Sequence, residues 1–396
     1  MKTTPKSLRL HIALFGRTNV GKSSFLNLIS GQEVSIVSEQ PGTTTDVVEK
    51  TMELLPIGPV VFIDTAGLDD TTALGKHRVE KTEKVFDRAD VILLICEGSE
   101  FGEFEEAVEN QARARGIPVL RILNKSDLYD LLDESDLCVN SADASSRDQV
   151  LTQLKSKLID ICPDEFIQPP RLLEGILPKG GLAILIIPID LEAPKGRIIL
   201  PQVQVIRDAL DGDAATLVVK EDRYLDMLQR LKTPPDLVVC DSQVVDRMVA
   251  ETPPDVPCST FSILFARVKG DLATLAAGAN SIDRLKNGNK ILIAESCSHH
   301  AVEDDIGREK IPKWLRQYCN CELEIDVCAG RDFPDNLEEY RLVVQCGGCM
   351  HNRREILSRI EKCGAAGVPI TNYGLCISQT QGVLGRVLSP FNLETK

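Results

Sequence analysis

The chain has 396 residues, 43% of them hydrophobic but only 4% aromatic, and its 59 acidic residues outnumber 45 basic ones for a net charge of -14. That length is long for one core and predicts two or three domains. The acidic balance excludes a general attraction to phosphate backbones or anionic lipid, so neither a nucleic-acid partner nor a membrane is expected. The first residues, MKTTPKSLRL, carry positive charge but no long apolar segment, and the longest apolar runs, Leu182 to Ile187 and Val91 to Cys96, are far too short to span a bilayer. A cytoplasmic protein is expected, with its thirteen cysteines kept as thiols. Eight of them follow residue 290: Cys297, Cys319, Cys321, Cys328, Cys346, Cys349, Cys363 and Cys376.

In chain order the first signal is LRLHIALFGRTNVGKSS, Leu8 to Ser24. An apolar run, Ile12 to Phe15, feeds the octet Gly16 to Ser23, G-x-x-x-x-G-K-S, which opens a helix over Lys22 to Ile29. The pattern is a phosphate-binding loop: Gly16 and Gly21 let backbone N–H groups curl around phosphate oxygens, and the helix start adds its positive end. Lys22 reaches the outer phosphates, and Ser23 offers its hydroxyl to magnesium, with Ser24 beside it. Two strands follow, Asp46 to Met52 and Val60 to Asp64, the second ending in Asp64-Thr65-Ala66-Gly67. Asp64 at a strand end can hold magnesium through water, and the Gly67 amide can approach a terminal phosphate. A strand at Val91 to Cys96 precedes a helix near Glu103 to Arg115. The strand Val119 to Leu123 then ends in Asn124-Lys125-Ser126-Asp127, an N-K-x-D that reads guanine through the Asp127 carboxylate. Val139-Asn140-Ser141-Ala142 completes the base pocket before a helix near Asp148 to Ile161.

Each short motif is weak alone, yet they occur in the right order at strand ends. Over about residues 8–162 the chain resembles the translation-factor-related GTPases, and within them the group typified by the tRNA-modification GTPase. The resemblance implies GTP hydrolysis with Lys22, Thr44 and Gly67 at the reacting phosphate, Thr44 being the switch threonine that senses the third phosphate. It implies magnesium at Ser23, Thr44 and Asp64, and a potassium ion at Asn19. Leu68 stands where many small GTPases have a water-orienting glutamine. Hydrolysis is therefore expected to be slow or to depend on potassium near Asn19.

Proline- and glycine-rich sequence around Pro163 to Gly181 reads as a linker. Strands at Leu182 to Ile187, Thr216 to Val219 and Leu237 to Cys240 alternate with helices at Pro201 to Leu210, Asp222 to Leu231 and Ser242 to Ala250. This predicts a small parallel-sheet unit whose role is self-association through a sheet edge. The last unit is predicted to open with a strand, Phe261 to Phe265, and a helix at about Leu272 to Leu285. Two further apolar strands each run into cysteine, Ile291 to Ala294 before Cys297, and Leu342 to Gln345 before Cys346-Gly347-Gly348-Cys349; a strand at Leu323 to Val327 follows the helix containing Trp314. Parallel strands gather their carboxyl ends on one edge, so Cys297 and the Cys346/Cys349 pair can converge although about fifty residues separate them. Three such thiolates suit an iron–sulfur cluster with one open iron; zinc with His299 or His300, and a thioredoxin-like dithiol opening a helix, are the alternatives. Cys319, Cys321, Cys328, Cys363 and Cys376 read as small buried hydrophobes.

A phosphate-loop GTPase followed by C-x-H, about forty-five residues, and C-x-x-C resembles the FeFe-hydrogenase maturation GTPase family over nearly the whole chain. The resemblance implies a GTP-binding domain at 1–165, a dimerisation domain at 176–258 and a cluster-binding domain at 259–396, that is, an α/β phosphate-loop GTPase domain followed by two smaller α/β units with mainly parallel sheets. It implies a 4Fe-4S cluster on Cys297, Cys346 and Cys349, with His299 as the histidine of the first half. It also implies a homodimeric scaffold that passes a diiron precursor from radical-SAM maturation enzymes to apo FeFe-hydrogenase. Gln345 stands where that family often has a second histidine, so the fourth iron position is open, water-bound, or filled by His299, Asp190 or Glu192. Two other functions compete: a tRNA- or ribosome-associated GTPase with a terminal zinc site, and a GTP-controlled thiol oxidoreductase.

Overall fold

The computed structural model describes residues 5–31, 48–65, 83–97, 101–129, 137–167, 170–188, 198–296, 305–330 and 332–393. The chain divides into two compact units, residues 1–169 and 170–396. The first holds a six-stranded sheet made of β1 (Leu10–Phe15), β2 (Val48–Leu54), β3 (Gly58–Asp64), β4 (Val91–Glu97), β5 (Val119–Asn124) and β6 (Leu137–Val139), in the order β2-β3-β1-β4-β5-β6. Only the β2–β3 pair is antiparallel; the other pairings are parallel. Central β1 is buried along its whole length. Its alternate side chains serve opposite faces, as the pleat requires. Ile12 and Leu14 join Phe25 and Ile29 of α1 (Lys22–Ser30) and Leu154 and Leu158 of α3 (Arg147–Ile161). Ala13 and Phe15 face Phe86 and the residues Val108 and Ala112 of α2 (Glu103–Ala114). Strand order reverses direction at β1, between β3 and β4, and such switch points are where open α/β sheets place their ligands.

The second unit contains two four-stranded, all-parallel sheets. One comprises β7 (Leu182–Ile186), β8 (Ala215–Val219), β9 (Leu237–Cys240) and β10 (Cys258–Thr260), ordered β10-β9-β7-β8. Its helices are α4 (Leu200–Asp211), α5 (Tyr224–Arg230) and α6 (Val245–Glu251). The other comprises β11 (Asn289–Ala294), β12 (Leu323–Cys328), β13 (Leu342–Gln345) and β14 (Ile370–Asn372), ordered β12-β11-β13-β14.

The segment expected as a strand at Phe261 to Phe265 is instead the start of a helix, α7 (Phe261–Lys269). The physical reason is burial on two sides. Phe261, Leu264 and Phe265 pack with Leu185 and Val239 of the first small sheet, whereas Ile263 and Ala266 join the core that contains the second. A helix covered on both sides has no polar stripe, so its periodicity vanishes. The Thr260 hydroxyl caps it, accepting from the Ile263 N–H at 3.2 Å. The helices α8 (Leu272–Asn280), α9 (Ile311–Cys319), α10 (Arg353–Ala365), α11 (Tyr373–Thr380) and α12 (Leu384–Leu388) complete this unit. The β10 edge is covered: α12 packs against it, and Arg386 Nη2 donates to Pro253 O and Val256 O at 2.9 and 2.6 Å. The opposite edge strand, β8, leaves Val218 43% exposed. Among the described residues, no helix is long and apolar enough to cross a membrane.

Candidate functional site: a nucleotide cradle and a cysteine-bearing sheet edge

The octet runs from the end of β1 to the first turn of α1. Gly21, the residue before that helix, has φ +97, and a Cβ there would lie 2.2 Å from Asn124 Nδ2. Only glycine allows the loop to close so tightly on the β5 end. Lys22 is buried, and its Nζ donates to Gly16 O at 2.5 Å and Arg17 O at 2.9 Å, so the ammonium is ringed by the loop that would enclose phosphate. Ser23 Oγ donates to Asp64 Oδ2 at 3.2 Å, which puts two of the three candidate magnesium groups in contact. Ser24 and Asn19 are exposed, and Asn19 takes a left-handed backbone, φ 66. Thr44, Gly67 and Leu68 lie outside the described residues.

Asn124 joins three parts of the base pocket. Its Nδ2 donates to Val20 O at 2.7 Å, and its Oδ1 accepts from Ser141 N–H at 3.1 Å and Ser141 Oγ at 2.7 Å. Ala142 N–H is turned by Asn140 Oδ1 at 3.0 Å. Lys125 Nζ pairs with Glu97 Oε2 at 2.7 Å. That bond, with the Tyr129 hydroxyl, holds the Glu97 carboxyl below its ordinary range. The Asp127 side chain is exposed on the turn after β5, free to accept from a base edge. Sequence reasoning missed one brace of this cradle. Arg17 makes a bidentate pair with Glu105, at 2.9 and 2.7 Å, and Glu105, 1% exposed, also accepts from the Gly102 N–H at 3.0 Å. It ties the phosphate loop to the start of α2. The signal was present as glutamate three residues after Gly102, a helix-start pattern.

At the other end of the chain, β11 and β13 are adjacent, with Ala294 opposite Gln345. Their carboxyl ends meet through Ser296 and Cys346: the Ser296 N–H donates to Cys346 Sγ at 3.1 Å, and that thiol lies 2.8 Å from Ser296 Oγ, which accepts from it. Cys297, the next residue, lies outside the described residues, as do His299, His300, Asp190 and Glu192. Gly348, inside the C-G-G-C turn, has φ +66, and Cys349 is exposed. The pair does not open a helix directly: α10 starts at Arg353, capped by Asn352, whose Oδ1 accepts from the Glu355 N–H at 3.0 Å. Buried His351 was not read from the sequence, although C-x-x-C-x-H displays it; its Nδ1 is 3.3 Å from Ser296 Oγ. Gln345 is buried, and among the described residues its Oε1 has no hydrogen-bond partner. Of the cysteines expected as small buried hydrophobes, Cys363 and Cys376 are buried, whereas Cys319, Cys321 and Cys328 are only half-buried. Burial pushes the Cys319 and Cys328 thiols up to about 11 and that of Cys363 up to about 12, and raises Cys376 further. Cys321 packs against the same core. Among the described residues no group of three metal-ligating side chains assembles.

Fold and site together define a phosphate-loop GTPase domain followed by two parallel-sheet α/β units. Residues 11–125 match the family model for a 50S ribosome-binding GTPase, residues 172–270 that for the hydrogen maturase F dimerization domain, and residues 273–390 that for the hydrogen maturase F tetramerization domain. The chain belongs to the hydrogen maturase F family of hydrogenase-maturation GTPases. The first unit alone is similar to the tRNA modification GTPase MnmE. Identity is 37% over 160 residues for that of Prochlorococcus marinus strain NATL2A, covering 37% of this chain and 34% of that protein. It is 42% over 121 residues for that of Burkholderia thailandensis, covering 30% and 26%. The chain thus spans about a third or less of the length of these relatives. Among solved structures, the G domain of the T. maritima FeoB iron transporter is 19% identical, covers 39% of this chain and 98% of its own, and has a TM-score of 0.29. Era in complex with MgGDPNP and nucleotides 1506–1542 of 16S ribosomal RNA is 20% identical, covers 56% and 96%, and has a TM-score of 0.31.

Proposed function

We propose that the protein is a GTP-hydrolysing scaffold that carries a 4Fe-4S cluster on Cys297, Cys346 and Cys349, receives a diiron precursor from radical-SAM maturation enzymes and delivers it to apo FeFe-hydrogenase. The observation that carries this reading is the contact of Ser296 with Cys346, 3.1 Å from N–H to sulfur, at the ends of adjacent strands. It brings the residue next to Cys297 onto the first sulfur of the C-G-G-C turn. The donor set fits an iron–sulfur group: soft thiolates on a glycine turn, with a backbone N–H aimed at one of them. When bound, a cluster held by three thiolates offers one iron position to an exchangeable ligand. Ser296 would orient Cys346, and His351 would orient Ser296. The fourth position is open or taken by water, His299, Asp190 or Glu192.

In the first unit, Gly16, Gly21, Lys22 and Ser24 would hold the phosphates. Ser23, Asp64 and Thr44 would hold magnesium, and Asn124, Lys125, Asp127, Ser141 and Ala142 would hold guanine. Asn19 would bind potassium, whose positive charge would assist hydrolysis where Leu68 replaces a water-orienting glutamine. GTP would switch the segments bearing Thr44 and Gly67 and so alter partner contacts, rather than act on iron. The oligomer would form first as a cytoplasmic homodimer through the β8 edge, whose Val218 is exposed. Metal and sulfide content after anaerobic purification tests the reading, with EPR of the reduced protein, for the wild type and Cys297→Ser. About four irons and four sulfides per chain, lost in the variant, are expected. Zinc, or no metal after reconstitution, would overturn it in favour of a zinc-bearing or dithiol protein.

A further inference from the structure

Two buried cations that the proposed function does not use lie near the turn that carries Cys346 and Cys349, one of them in contact with it. Lys269, the last residue of α7, is 6% exposed; its Nζ donates to Gly348 O and to His351 O, both at 3.2 Å. Arg359 of α10 is also 6% exposed; its Nη2 donates to Gly330 O at 2.7 Å, its guanidinium lies 4.9 Å from the Phe333 ring centroid, and its Nη1 is buried with no hydrogen-bond partner among the described residues. Among the described residues, neither cation forms an ion pair with a carboxylate. Buried charge without a counter-ion is strongly disfavoured. Burial holds the Lys269 ammonium down to about 8 and lowers Arg359 as well. Cys349 and Cys346 are the leading groups that oppose this at Lys269, and Cys346 and Cys328 at Arg359, with Glu355 behind them in both cases. In a metal–thiolate group Cys346 and Cys349 are thiolates, and with the Glu355 carboxylate they are the anions near these cations.

We propose that Lys269 and Arg359 form a buried cationic support under the Cys346–Cys349 turn that offsets the negative charge of a metal–thiolate group there and favours its reduced state. The inference rests on the cluster reading above. A cluster on three thiolates is anionic and gains one more negative charge with each electron, so a fixed buried cation stabilises the reduced form more than the oxidised one. Lys269 closes the dimerization segment, 172–270, whereas the turn belongs to the tetramerization segment, 273–390. A further bond crosses the same boundary in the opposite sense: Arg353 Nε donates to Val268 O at 3.0 Å. The support is thus shared between the two family segments and is absent from either alone.

The test is an EPR-monitored titration with dithionite on the reconstituted full chain, comparing wild type, Lys269→Gln, Arg359→Gln and Arg359→Lys, with iron content measured on each. The glutamines keep donors without charge. In each neutral variant the reduction equilibrium is expected to move about tenfold or more toward the oxidised form, about 59 mV for one electron, with Arg359→Lys close to wild type. Iron-loaded neutral variants with an unmoved potential would overturn the proposal and leave the two residues a purely structural role. If the folded neutral variants lose iron, retention by Arg359→Lys supports the proposal, and equal loss from it overturns it. A wild type without iron would defeat the cluster reading and this inference together, and the iron assay separates that failure from the others.

Discussion

Replacing Asn124 by alanine should loosen the whole guanine-nucleotide cradle without touching a phosphate ligand. The side chain is 2% exposed and makes three hydrogen bonds, one to Val20 O and two from Ser141. Each is worth about 0.5–1.5 kcal/mol net, or about 1.5–4.5 kcal/mol in sum. The Ser141 groups are only half-buried and can turn to water, whereas Val20 O loses its donor; about 2–3 kcal/mol should remain as lost local stability. Global unfolding of a two-unit chain would blur this number, and hydrogen exchange read peptide by peptide would not. Protection in β5 and around residues 139–142 should fall by about 30- to 150-fold, while β11 and β13 remain unchanged. Affinity for a fluorescent GDP analogue should fall by about tenfold or more, because the loop after β6 and the phosphate loop are no longer held in register. Protection lowered by less than about 0.5 kcal/mol, with GDP affinity unchanged, would refute the role of Asn124 as the tie between these loops.

Asp127→Asn should weaken GTP by at least about a hundredfold in competition binding and favour xanthosine nucleotides; unaltered GTP affinity would break the base-pocket assignment. Val218→Lys, placed on the exposed β8 edge, should lower the mass measured by light scattering, and an unchanged mass would exclude that edge from the interface. Among the described cysteines, iodoacetamide at pH 8 on metal-free protein should label Cys138 first, with Cys349, whose thiol pKa is raised, behind it. Burial pushes the Cys162 and Cys363 thiols up to about 12, which leaves about one part in ten thousand as thiolate at that pH. Labelling of Cys363 as fast as Cys138 would contradict the packing. Reconstitution with iron should protect Cys349 and leave Cys138 reactive.

The nucleotide site was legible because its chemistry demands particular residues at particular strand ends. Glycines must bracket the phosphate loop, and a carboxylate must follow the strand that meets the base. Adjacent strands bring Ser23 to Asp64 and Asn124 to Ser141 without further specification. The second unit was less legible. The run Phe261 to Phe265 carries no periodic cue, since both of its sides are covered, and only the Thr260 cap marked it as a helix. The three-residue strands β10 and β14 are too short to leave a pattern. Arg17 with Glu105, and Lys269 with the Cys346 turn, are partnerships across about eighty residues or more, which local sequence does not encode.

Pairing Ala294 with Gln345 also bears on how relatives should be sought. The ladder continues one step past the strands, the Cys346 N–H donating to Ala294 O at 2.9 Å, so the two cysteine-bearing segments leave the sheet about one strand spacing, ~4.8 Å, apart. Lateral neighbourhood, not the count of residues between them, sets where they start. The excursion between β11 and β13, through α9 and the edge strand β12, can lengthen or shorten without moving either departure point. A search pattern that fixes the number of residues between Cys297 and Cys346 would discard proteins that keep this geometry. One that asks for two adjoining parallel strands, each running into cysteine, would retain them.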